Sequence, residues 1–261
     1  AGCGTMFCLA GIGAGIQDFV VARYGTSGVL DPTFGSGGTV VTDFGAGLDF
    51  AFGVVVQPDG KIVAAGQTAG SGTSEFALAR YTAGGALDPA FGSGGRVTTT
   101  FAAGRAAANG LALQSDEKLV AAGLTNDGTT SLFALAVYDS SGVLDPTFGT
   151  GGKVSTEFAG NDSAQAVALQ SDGKIVLAGE SSNFVTSVFA LARYLVASNS
   201  CSLAAQCDDG LACTADTCVS SVCVHTAIPG SCDDGNPCTD DTCSPGVGCS
   251  YTNNAAPCDD G

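Results

Sequence analysis

LDPTFGSGG at residues 30–38, LDPAFGSGG at 87–95 and LDPTFGTGG at 144–152 are near-copies of one nine-residue stretch, set 57 residues apart. In each copy Asp-Pro starts a turn: proline fixes φ, and the aspartate can bond the backbone ahead of it. The three glycines that follow take conformations that a Cβ would forbid. The stretch reads as a stiff connector, and Phe34, Phe91 and Phe148 are placed to plug the gap between neighbouring units.

The repeat is much wider than nine letters. FVVAR at 19, FALAR at 76, FALAV at 133 and FALAR at 189 recur in the same register, as do VVVQPDGKIVAAG from 54, LALQSDEKLVAAG from 111 and VALQSDGKIVLAG from 167. A period of this size points to solenoids or propellers. Within one unit, residues 51–57, 61–68, 75–82 and 95–101 read as strands, and the Asp-Gly between the first two is a tight-hairpin signal. One unit is therefore a four-stranded antiparallel meander, with the LDPxFGxGG connector between its third and fourth strands. FALAR puts Phe76 and Leu78 on one face and Ala77 and Ala79 on the other, so both faces are apolar. Such a sheet is stable only when stacked on copies of itself, and radial stacking makes a β-propeller. A β-solenoid is the rival, but its coils are shorter.

ALDPAFGSGGRV, LQSDGKIVLAG and FALARY resemble the delta-60 repeat of bacterial surface and secreted proteins, over about residues 5–195. The resemblance implies a propeller fold and export, and supplies no catalytic site. With MFCLAG at 6–11 in the register of KIVAAG, the chain holds fourteen strands, or three and a half blades. Propellers close with about four to eight. The expected fold is all-β: an incomplete, propeller-like array of four-stranded antiparallel blades over residues 1–197, then a small, irregular, disulfide-rich domain over 198–261. The remaining blades are expected from further sequence of a longer protein or, as the alternative, from a second copy.

Forty-five per cent hydrophobic residues and a mean hydropathy of +0.30 permit a real core. The net charge is −16, with nine Lys and Arg in 261 residues, which argues against nucleic acid and anionic lipid surfaces as partners. The opening AGCGTMFCLAGIGAGI is uncharged but too short to span a bilayer and has no basic flank, so neither a membrane helix nor a signal peptide is expected there. The alternative for Cys3 is a lipid anchor.

Cysteine use divides the chain. Cys3 and Cys8 stand alone, whereas Cys201, Cys207, Cys213, Cys218, Cys223, Cys232, Cys238, Cys243, Cys249 and Cys258 crowd residues 201–261. Large apolar side chains there are too few to offset the ordering of the segment. Disulfides are the expected staple. Zinc is disfavoured, because the gaps are not paired CxxC knuckles and His225 is the only histidine. Disulfides imply an oxidising compartment, so the expected location is secreted or cell-surface. CDDGLACTADTC and CDDGNPCTDDTC are similar to the cysteine-rich CTDC repeat named after Dictyostelium surface proteins, which implies an extracellular stalk or adhesive module. Asp208, Asp209, Asp216, Asp233, Asp234 and Asp241 are candidate ligands for Ca²⁺, the one cofactor the sequence suggests, although their spacing is not that of an EF-hand. The competing reading is that Asp-Asp-Gly simply makes turns.

In a propeller meander, the first-to-second and third-to-fourth strand loops share one face, which here is written almost unchanged in every unit. The second-to-third and inter-blade loops share the other face, and these vary: QTAGSGTSE, LTNDGTTS and ESSNFVTS, with GAGLDF, AAGRAAA and AGNDSAQ. Variation that spares the scaffold marks the face for contact with a ligand. Its polar groups are Asp49, Arg105, Asn126, Asp127, Asn161 and Asp162. Lys61, Lys118 and Lys174, with Arg23, Arg80 and Arg193, recur once per unit and read as structural ion pairs rather than a phosphate site. No GxSxG, HExxH or P-loop motif occurs. The expected function is a noncatalytic extracellular binding or structural module that meets a glycan or protein ligand. The alternative is a carbohydrate-active propeller using two of Asp49, Asp127 and Asp162.

Overall fold

The computed structural model describes residues 6–10, 17–45, 47–70, 72–101, 104–126, 128–158, 160–183, 185–195, 207, 210–219, 222–236, 238–244 and 248–254. Every regular element among the described residues is a β-strand. The chain forms two compact units, residues 1–169 with 175–194, and residues 170–174 with 195–261. Cys3, Cys201, Cys258, Asp127, Asp208 and Asp209 lie outside the described residues.

The first unit holds four meander sheets. They are β1 (Met6–Ala10), β2 (Phe19–Arg23) and β3 (Thr39–Thr42); β4 (Leu48–Val56), β5 (Ile62–Ala69), β6 (Ser74–Tyr81) and β7 (Arg96–Thr99); β8 (Ala106–Leu113), β9 (Leu119–Asn126), β10 (Ser131–Tyr138) and β11 (Lys153–Thr156); and β12 (Asn161–Leu169), β13 (Ile175–Ser182) and β14 (Ser187–Tyr194). All neighbours pair antiparallel in chain order. The leading strands β4, β8 and β12 pack against one another, as the inner strands of successive blades do.

Strand alternation builds the blade interfaces. Phe76 and Leu78 of β6 join Phe91 and the next sheet's Ala106, Ala108, Leu119, Ala121, Ala134 and Ala136. On the opposite face, Ala77 and Ala79 join Phe19, Val21 and Phe34 of the preceding sheet. Bulky residues thus meet small ones across each gap, which is how close-packed layers interdigitate. Phe34 and Phe91 are completely buried and Phe148 nearly so, as plugs should be.

Two devices appear that the sequence reading lacks. The first strand of each complete meander, and β12, carries a bulge: register slips between Ala51 and Gly53, between Ala108 and Gly110, and between Ala164 and Ala166. The glycine that ends each IVAAG-like run sits opposite, and a Cβ on Gly66, Gly123 or Gly179 would strike the backbone oxygen of Phe50, Ala107 or Ser163. The second device is a buried bond between blades. Tyr81 Oη pairs with Thr42 Oγ1 at 2.7 Å, Tyr138 Oη donates to Thr99 Oγ1 at 2.8 Å, and Tyr194 Oη meets Thr156 Oγ1 at 2.8 Å. Burial pushes the Tyr138 phenol well above its ordinary pKa, so it stays protonated.

The fourth sheet ends at β14. Phe189 is 77% exposed and Leu191 55%, whereas their counterparts Phe76, Leu78, Phe133 and Leu135 are fully buried.

The second unit departs from the irregular structure expected of it. It contains two hairpins, β15 (Thr214–Val219) with β16 (Val222–Ala227), and β17 (Thr239–Ser244) with β18 (Gly248–Asn253). Cys207–Cys223 and Cys232–Cys249 close the two repeats, and Cys213–Cys243 ties one repeat to the other. Cys218 and Cys238 are disulfide-bonded as well. Covalent closure holds strands that little apolar burial would stabilise, which is why apolar alternation does not announce them.

Candidate functional site

The repeated face is built for structure. In each LDPxFG connector the aspartate carboxylate accepts the backbone N–H two residues on, across the proline: Thr33 to Asp31 at 2.9 Å, Ala90 to Asp88 at 3.1 Å and Thr147 to Asp145 at 2.9 Å. The recurrent cations close on the same carboxylates. Arg23 Nε lies 3.0 Å from Asp31, Arg80 Nε 3.0 Å from Asp88, Lys61 Nζ 3.4 Å from Asp88 and Lys118 Nζ 3.1 Å from Asp145. The Arg23 and Arg80 guanidiniums also cover the Phe34 and Phe91 rings, at 4.8 and 4.7 Å, and donate to the backbone oxygens of Ala83 and Ser140 in the following blade. Arg and Lys therefore clamp connector to blade. Burial by itself raises the pKa of Asp88, but the Ala90 amide, Arg80 and Lys61 outweigh it and hold the carboxyl below its ordinary value. Asp145 is held low in the same way, by Thr147 and Lys118 against burial. Lys174 pairs with Asp172 at 2.7 Å, and Arg193 is exposed at the end of β14.

The varied face carries a cleft of about 530 Å³ between the second and third sheets. Gly70, Gly72, Thr73 and Ser74 of the β5–β6 loop form one wall; Arg105, Leu124, Asn126 and Ser131 form the other, with Gln67 and Ala107 at its base. The walls are tied across the gap: Ser74 N–H donates to the Gly104 oxygen at 3.3 Å, and Ala106 N–H to Ser74 Oγ at 3.1 Å. Asn126 N–H donates to the Arg105 oxygen at 2.7 Å, and its side-chain amide reaches Ser131 Oγ at 3.4 Å. The Arg105 side chain is exposed, and among the described residues its guanidinium has no hydrogen-bond or ion-pair partner. No described residue of the lining is a carboxylate.

The face residues named from sequence divide. Arg105 and Asn126 line the cleft, and Asn161 borders it through Oδ1, which accepts the Ser131 N–H at 3.2 Å. Asp49 and Asp162 do not line the cleft. Both are fully buried, and each uses Oδ2 to accept a loop amide, from Phe44 and Phe158, both at 2.7 Å. The inter-blade loop needs an acceptor there, and the first residues of β4 and β12 supply it. As a catalytic pair, Asp49 and Asp162 would each have to act from a buried position with one oxygen already engaged by a loop amide. The alternation of LDFAF and NDSAQ carried the missing signal, since it turns Asp49 and Asp162 to the same side as the buried Ala51 and Ala164.

Residues 9–34, 57–91, 114–148 and 170–196 match the family described as a domain of unknown function (DUF5122) beta-propeller. The repeat is a β-propeller repeat. The DUF5122 match supports the delta-60 resemblance and stops before the cysteine-rich unit. The first three segments end at Phe34, Phe91 and Phe148, and Asp49, Arg105, Asn161 and Asp162 fall between segments. Of the cleft lining, Gln67, Ser74, Leu124, Asn126 and Ser131 lie within the matched segments and Arg105 and Ala107 between them. No curated protein matches the chain.

In the second unit the expected Ca²⁺ ligands separate. Asp216 Oδ1 lies 2.8 Å from Nδ1 of His225 across the β15–β16 hairpin, which gives the lone histidine a carboxylate partner. Asp233, Asp234 and Asp241 do converge, with one carboxylate oxygen of each within 4.8 Å of the others. They also cap turns: Asp233 accepts the Gly235 N–H, Asp234 the Asn236 N–H, and Asp241 the Asp234 N–H, at 2.8, 2.8 and 2.9 Å.

Proposed function

We propose that the chain is a noncatalytic extracellular binding module, with the propeller blades as display surface and the cross-linked repeats as a spacer. The disulfides support an oxidising environment, and secretion or surface display follows from it in this reading. The observation that carries the reading is Arg105, a guanidinium without a partner among the described residues, at the rim of a cleft whose other described polar groups are hydroxyls and amides. A guanidinium fork binds a carboxylate in two parallel hydrogen bonds, and hydroxyl and amide walls suit sugar hydroxyls. The ligand class is an acidic glycan. A protein ligand presenting an acidic side chain shares that chemistry and forms a second arm of the test.

A glycan array run beside hydrolysis assays tests the module. Retention of uronate- or sialate-bearing glycans, at least tenfold weaker in Arg105→Ala and without product release, supports it. Product release by the wild-type chain, or retention indifferent to Arg105→Ala, refutes it. Retention of acidic peptides instead of glycans selects the protein arm.

A further inference from the structure

We propose that Asp18, Asp43 and Asp49, where the first sheet passes to the second, bind a hard divalent cation of the Ca²⁺ type. One carboxylate oxygen from each residue lies within 4.8 Å of the other two. Asp49 is completely buried, and among the described residues its Oδ1 has no hydrogen-bond partner; Oδ1 of Asp18 is likewise buried and unpartnered among them. A buried carboxylate oxygen without a donor is costly, and a cation that takes oxygen ligands removes the cost. The remaining oxygens are accounted for in part: Asp49 Oδ2 accepts the Phe44 N–H and Asp43 Oδ1 accepts the Gly45 N–H, at 2.7 and 2.6 Å, so the loop itself orients both groups. Arg96 donates through Nη1 to the backbone oxygen of Asp43 at 2.9 Å, not to its carboxylate. Burial first, and then the Asp43 and Asp49 charges, hold the Asp18 carboxyl above its ordinary pKa.

The repeat provides its own control. One unit later the three positions are Glu75, Thr100 and Ala106, and the lone acid is satisfied by a hydrogen bond from Thr100 Oγ1 at 2.7 Å. Asp162 repeats the loop-capping bond of Asp49 and also keeps a buried, unpartnered Oδ1, but Leu132 and Glu157 stand where Asp18 and Asp43 would. Three acids come together at one blade junction only among those described, which makes the cluster more than a by-product of the fold. Three carboxylates supply part of the six to eight oxygens that Ca²⁺ takes, and water completes the set.

The test is calorimetric titration of Ca²⁺ into the chelator-stripped full chain. Asp234→Asn/Asp241→Asn removes the competing acids of the cysteine-rich unit. Binding that survives this double variant, weakens at least tenfold in Asp43→Asn and in Asp18→Asn, and is unchanged in Asp162→Asn supports the site. Asp43 is exposed, and an asparagine there keeps the acceptor for Gly45, so that variant folds. Absence of binding at millimolar Ca²⁺, or binding that disappears in the double variant and ignores Asp43→Asn, overturns it.

Discussion

Arg80 and Asp88 show what a single repeated charge does. The pair is nearly buried, lies over Phe91 and bonds the next blade, so truncation removes packing and leaves Asp88 with the Ala90 amide and Lys61 as its remaining described partners. Arg80→Ala should cost about 2 kcal/mol in urea unfolding, below the 3–5 kcal/mol of a fully orphaned buried charge because Lys61 remains; Arg23→Ala, at a more exposed pair, should cost less. Because the folded pKa of Asp88 is lowered, its stabilisation is fully present above the unfolded value of about 4 and disappears as pH falls through the folded one. Glu117 is a second test at this scale. It adopts φ +66° in the hairpin where the other units place Gly60 and Gly173, the one described non-glycine residue with positive φ. Glu117→Gly should therefore raise stability by up to about 1 kcal/mol, and a loss would contradict the strain. The recurrence of Lys and Arg was legible in the letters. The partner was not, because only folding brings the Asp-Pro turn back to the third strand.

Among the elements, β6, β10 and β14 share nearly one sequence and differ in cover. Phe76 and Phe133 are sealed, whereas Phe189 faces out and, among the described residues, β14 has no fourth strand beside it. Native-state hydrogen exchange should run faster through β14 than through β10, residue by residue, and equal protection would mean that something covers β14. Strand order and the connector were legible from apolar alternation and turn residues. The bulges were not: an extra residue such as Phe52 or Asn109 leaves the letters in phase until pairing is seen, and only the glycine opposite hints at it. The hairpins of the cysteine-rich unit were equally hidden, since cross-links rather than apolar faces hold them. Full reduction should abolish amide protection in residues 207–254 while β4–β11 keep theirs, and retained protection in β15–β18 would deny the disulfides that role.

For the whole molecule, the repeat period predicts stacked sheets, and the sheets do stack, large side chains of one against alanines of the next. The cleft was legible only as a face. Its walls come from two units, and which polar groups point in or turn onto a loop depends on strand phase, as Arg105 and Asp49 illustrate. The most direct measurement of the stack is a double-mutant cycle on Tyr138→Phe and Thr99→Val, which removes the buried bond between the second and third blades. Urea unfolding should give a coupling of about 1 kcal/mol. Additivity within about 0.3 kcal/mol would contradict face-to-face blades.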